Sequence, residues 1–138
     1  MKKKVISTGI FVIPALFIFG LTSGFKFSDQ KPWPVPDKYK TMKNTVASDA
    51  ESIAAGKTLW TTHCKSCHGT KGLGDGPKAA QLKTEPGDFS KAETQSQTDG
   101  ALFYKISEGR DDMPSFKKKI PDQDEIWSIV NYVRTLKK

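Results

Sequence analysis

Cys64-Lys65-Ser66-Cys67-His68 is the stretch on which the reading of this 138-residue chain turns. It holds the only two cysteines, and three chemistries compete for them. A thiol-disulfide centre wants Cys-x-x-Cys at the start of a helix that follows a strand. Zinc wants ligand pairs brought from distant parts of the chain, and four ligands packed into residues 63–68 cannot easily surround one ion tetrahedrally. The third chemistry is covalent haem attachment: each thiol forms a thioether to one vinyl group of the same porphyrin, and the next residue places an imidazole below the iron. That chemistry also accounts for two thiols that do not pair with each other in an oxidising compartment. The reading is one covalent haem c with its iron, attached through Cys64 and Cys67 and ligated by His68.

Upstream of the motif, Ser48-Asp49-Ala50-Glu51 has capping-box spacing, with Ser48 as the cap and Glu51 reaching back. A helix is predicted from there to about His63, with Ile53, Gly56, Leu59 and Trp60 near helical period. Downstream, Thr70 to Ser90 carries Gly72, Gly74, Gly76, Pro77, Pro86 and Gly87 and reads as loop. Its glycines follow no strand pattern and end in no phosphate-loop lysine, which argues against nucleotide binding. Asp99 to Glu108 is predicted as a short helix ended by Gly109, followed by a loop bearing Met113-Pro114-Ser115-Phe116. A last helix starts at Asp122, buries Ile126, Ile129, Val130, Val133 and Leu136, and carries Lys137-Lys138 in its final turn. No run alternates with period two, so the fold class is all-α with a loop-rich middle.

A haem that only passes electrons is best ligated on both faces. Met113 stands in a loop between Gly109 and Pro114 and is the candidate second ligand. Met1 belongs to the leader, Met42 lies before the first helix, and His63, beside Cys64, would have to double back to reach the iron.

Cys64-x-x-Cys67-His68, the later Met113-Pro114 and a terminal helix with Tyr132 resemble the class I monohaem cytochrome c family over residues 48–138. The resemblance implies that the first and last helices cross around one edge of the haem, with Gly56 and Trp60 opposite Ile129 and Tyr132. It also implies a proline carbonyl, of Pro86 or Pro77, accepting from the second ring nitrogen of His68. Arg110, next to the ligand loop, is a candidate partner for a haem propionate, or else a solvated residue beside Asp111 and Asp112.

Outside this domain, Lys2-Lys3-Lys4 and the apolar run from Val5 to Leu21 form an export signal. Residues 1–24 read as a signal peptide or an uncleaved membrane anchor. Either way the domain lies on the outer side of the cytoplasmic membrane, which is the periplasm. Residues 25–47, with Pro32, Pro34 and Pro36 at alternate positions, are expected as a stiff extended arm, with Trp33 packed on the domain surface.

Without the three leader lysines, 19 basic residues face 15 acidic ones, a mild excess spread without the basic-aromatic array of a nucleic-acid binder. Lys117-Lys118-Lys119 is a candidate docking patch for an acidic redox partner, or a solvated run. With both iron positions filled, the expectation is a single-electron carrier between donor and acceptor proteins in respiration and not an enzyme. The alternative is a haem-bearing subunit of a larger membrane-bound respiratory complex.

Overall fold

The computed structural model describes residues 32–138; the apolar run 5–21, with its signal or anchor reading, lies outside the described residues. Six helices follow in order: α1 (Asp37–Lys40), α2 (Ala50–His63), α3 (Lys65–His68), α4 (Ala92–Gln95), α5 (Asp99–Glu108) and α6 (Gln123–Thr135). A single 3-10 turn, Ala79–Gln81, interrupts the long loop between α3 and α4. No strand occurs among the described residues, and a lone antiparallel bridge joins Arg110 to Met113. The all-α expectation therefore stands.

The scaffold is the crossing of α2 and α6. A Cβ built on Gly56 would lie 2.0 Å from the Ser128 carbonyl oxygen and 3.0 Å from Tyr132 Cβ, so only glycine lets the two backbones come this close. Trp60, one turn further along α2, packs at 5.7 Å from the Tyr132 ring. The partner of Gly56 is thus Ser128 with Tyr132, where the resemblance implied Ile129. Ile129 instead turns into the core with Ile126, Trp127, Val130 and Val133. Burial of each such side chain contributes about 1.5–3 kcal/mol. The α5 face closes the core, with Phe103 stacked on Trp127 at 4.3 Å.

Helix α2 begins one residue later than the sequence suggested. Asp49 is the cap: its carboxylate accepts from Ser52 N at 2.9 Å, and Ser52 Oγ accepts from Asp49 N at 3.2 Å. A charged carboxylate at the positive helix end competes better for the free amides than the Ser48 hydroxyl does. Those amides hold the Asp49 carboxyl below its ordinary range. At the other end of the domain, α6 stops at Thr135, so Lys137 and Lys138 lie beyond it, and the basic residue of its last turn is Arg134. The Arg134 guanidinium bonds Asp99 Oδ1 at 2.6 and 2.8 Å and the Gln97 carbonyl at 2.6 Å, tying the start of α5 to the end of α6.

Residues 32–47 are extended only up to Pro36, which caps α1. They lie against the domain. The Tyr39 ring is 4.7 Å from Tyr104, and Gly100 leaves room for the Tyr39 and Met42 carbonyls, which a Cβ there would meet at 2.0 and 2.7 Å. Buried Asn131 on α6 anchors the stretch: Nδ2 donates to Ala47 O and Ser52 Oγ, both at 3.1 Å, and Oδ1 accepts from Asn44 Nδ2 at 2.7 Å.

Candidate functional site

The end of α2 carries Cys64 into the core, and α3 follows after a single residue. Its turn is set by bonds from Cys67 N and His68 N to the Cys64 carbonyl, at 3.1 and 3.0 Å. The glycine loop then wraps this turn. Gly74 N donates to His68 O at 3.0 Å, Gly76 N to Cys67 O at 3.2 Å and Lys78 N to Ser66 O at 2.9 Å. A Cβ on Gly76 would sit 2.5 Å from Ser66 O, so the loop glycines serve as a collar on the Cys-x-x-Cys-His turn.

Cys64 and Cys67 form no disulfide. Burial, with the neighbouring Cys67 adding to it, pushes the Cys64 thiol up to about 12, the opposite of an activated redox thiolate. Both thiols open onto a cleft with a cavity volume of about 210 Å³ that His68 and Met113 also line. Leu82, Leu102, Ile106, Phe89 and Phe116 make much of its wall.

His68 is half-buried, with its Nδ1 shut off from solvent and no partner meeting hydrogen-bond geometry. Burial brings the imidazole down to about 4, so the ring is neutral at neutral pH with a lone pair to give. The Pro86 carbonyl opposes this, close enough to favour a proton on the ring. Pro86, one of the two prolines the resemblance offered, therefore faces His68.

Trp60 stands behind the histidine and not among the residues that line the cleft. Its ring is 5.7 Å from His68, and its Nε1 donates to the Gly69 carbonyl at 3.1 Å. Phe89 packs closer still, 4.7 Å from the His68 ring, and no local pattern in the sequence marks it. His63 is half-buried on the cleft with its ring edge toward Phe116 at 5.9 Å.

Met113 also lines the cleft, half-buried, in a tight turn whose ends exchange bonds: Arg110 N to Met113 O at 2.8 Å and Met113 N to Arg110 O at 2.9 Å. Gly109 enters this turn at φ +67°, and a Cβ there would lie 2.4 Å from Pro114 C. Among the residues that line the cleft, the Arg110 guanidinium lies 4.6 Å from the Trp33 ring centre and donates to Pro32 O at 3.0 Å. Lys105 Nζ lies 5.4 Å from the same ring, and burial together with Arg110 lowers its pKa. Trp33 is thus on the domain, as expected of it, and at the rim of the cleft, which the sequence did not indicate.

Residues 51–133, more than half the chain, match the family described as cytochrome C oxidase, cbb3-type, subunit III. The chain belongs to this cytochrome c family. A cytochrome c6 of Cladophora glomerata is 31% identical over 86 residues, covering 62% of this chain and 89% of that protein. Among solved structures, the Kuenenia stuttgartiensis reducing HAO-like protein complex Kustc0457/Kustc0458 aligns with a TM-score of 0.63 and 27% identity over 81% of this cytochrome, which spans about half (54%) of that chain. The KustC0563 c-type cytochrome aligns at 33% identity and a TM-score of 0.53, covering 60% of this chain and 98% of its own.

The cytochrome is an electron-carrying protein of the monohaem class I type and bears covalent haem c with its iron. Its cleft fits that group on chemical grounds: two thiols, a neutral imidazole and a thioether surround an apolar cavity.

Proposed function

We infer that Cys64 and Cys67 carry the thioether links to the porphyrin, that His68 and Met113 are the two axial ligands, and that the protein shuttles single electrons between redox proteins outside the cytoplasmic membrane. The observation that carries this reading is one cleft lined by all four side chains, with His68 at the end of α3 and Met113 on the loop after α5. Bound haem supplies a one-electron iron couple, and methionine with histidine raises its potential.

The chain's own residues do the rest. The rings of Trp60 and Phe89 pack against the imidazole and the Pro86 carbonyl lies near it, an arrangement that would leave Nε2 as the nitrogen to bind metal. The apolar wall of Leu82, Leu102, Ile106 and Phe116 would keep water from a haem held there. Arg110, ion-paired with Asp111 at 3.4 Å, and Lys105 line the cleft, where a propionate of the bound group would compete with Asp111 for the guanidinium.

Docking by the Lys117-Lys118-Lys119 run is weaker than the bare charges suggest. Lys117 is ion-paired with Glu108, and Lys119 lies over the Phe116 ring at 5.6 Å. A redox partner with an acidic face would still meet a rate that falls as salt rises. The alternative, a fixed subunit of a larger membrane-bound complex, draws on the family description and on the complex that holds the Kuenenia relative. Stoichiometric copurification of membrane subunits would favour it over the free carrier. Among the described residues no helix is long and apolar enough to cross a membrane.

The test is the visible spectrum of the matured protein. Denaturation in alkaline pyridine gives a c-type haem spectrum for the wild type, and Cys64→Ala with Cys67→Ala abolishes covalent haem. Met113→Ala removes the far-red charge-transfer absorption of the oxidised protein and lowers the midpoint potential. An unchanged Met113→Ala spectrum would return the second iron position to an open or histidine-ligated site.

A further inference from the structure

Asp112 sits at the tip of the Met113 turn, and its carboxylate reaches across to the other loop. Oδ2 accepts from Lys83 N at 2.7 Å and from Thr84 N at 3.2 Å. These amides lie some 28 residues earlier in the chain, whereas an aspartate serving only its own turn would bond the backbone about two residues on. The segment they belong to continues into Glu85 and Pro86 on the cleft wall, where the Pro86 carbonyl faces His68. On the near side, the next residue is Met113, clamped by its bonds to Arg110. A single carboxylate oxygen therefore joins the loop that carries Pro86 to the loop that carries Met113.

We propose that Asp112 is a positioning residue that clips the two cleft walls together and so keeps Met113 on the iron. The proposal rests on Met113 being an axial ligand. Both bonds are charge-assisted, which makes them stronger than neutral ones. Their site is exposed, so solvent screens part of the gain. Removing the clip costs the closed state, and its cost appears as easier displacement of Met113 by an added ligand.

The experiment uses the full-length, haem-loaded, oxidised protein. Imidazole is titrated against wild type, Asp112→Asn, Asp112→Ala and the remote variant Asn44→Ala, following loss of the far-red charge-transfer absorption. Asn44 bonds Asn131 at 2.7 Å, away from the cleft, so it reports general loosening. The expected result is an apparent imidazole affinity about tenfold higher in Asp112→Ala, equivalent to about 1.4 kcal/mol. Asp112→Asn, which keeps an acceptor without the charge, falls between, and Asn44→Ala stays near wild type.

Equal affinities in wild type and Asp112→Ala overturn the clip while leaving the ligand reading intact. An Asn44→Ala change as large as that of Asp112→Ala also overturns it, because the effect is then global. Absence of the charge-transfer absorption in the wild type overturns the ligand reading itself and the clip with it.

Discussion

The two walls of the cleft are built differently. On the histidine side, His68 ends a helical turn locked by backbone bonds to Cys64, wrapped by the glycine collar and backed by Trp60 and Phe89. On the methionine side, Met113 depends on one four-residue turn, the glycine before it and an exposed carboxylate. The first wall includes the buried core residues Trp60 and Cys64, whereas Met113 is half-buried and packs against that core from a loop. The Asp112 bonds that tie this loop to residues 83–84 are exposed, which places it in the less stable part of the molecule. The two proposed ligands are therefore secured unequally, and the expected outcome is that exchange starts at Met113 while the remainder of the fold stays intact.

Substituting within the histidine wall is expected to have the largest effect. Gly76→Ala places a Cβ 2.5 Å from Ser66 O and 2.6 Å from Cys67 C, both backbone atoms that cannot turn aside. Denaturant unfolding of the haem-loaded protein should show a loss of about 2–3 kcal/mol, with the imidazole concentration that displaces Met113 in the folded protein unchanged from wild type. If imidazole displaces Met113 more readily in this variant, the two walls are not independent. Gly109→Ala works on the other wall, where the backbone at φ +67° and ψ 172°, which suits glycine, adds strain of about 1–3 kcal/mol beside the contact with Pro114. Imidazole should displace Met113 roughly tenfold more readily, while the unfolding midpoint moves less than in Gly76→Ala. Asp111→Gly is the smallest test. Asp111 is the one non-glycine residue with positive φ among the described residues, at +51°. Relieving it should stabilise the closed turn by up to about 1 kcal/mol, read as slightly weaker imidazole binding.

What was legible in the sequence followed the locality of each signal. Helices α2, α5 and α6 announce themselves through caps and a 3.6-residue apolar period, and the start of α5 at Asp99 and its end at Gly109 were both readable. The cap of α2 moved by one residue because Ser52 is drawn inward: its hydroxyl donates to Ala47 O at 2.6 Å and accepts from Asn131. Residues 37–40 looked like part of an arm, since four residues after a proline carry no helical period; their helix is stabilised by contact with α5. Phe89 and Trp33 reached the cleft without warning because aromatic residues in loops look alike until the loop has closed.

By itself the sequence determined the chemistry. Thiols three residues apart with an adjacent histidine specify the cofactor through covalent geometry that holds in any fold, and a helical period specifies which faces are buried. Only the tertiary structure decided which residues support that chemistry from a distance: Pro86 and not Pro77 at His68, Ser128 under Gly56, Asn131 beneath the arm, Asp112 across the cleft. Each of these pairings joins residues far apart in the chain. Such contacts form when buried surface outweighs the entropy of closing the intervening loops, a balance that no local pattern of residues encodes.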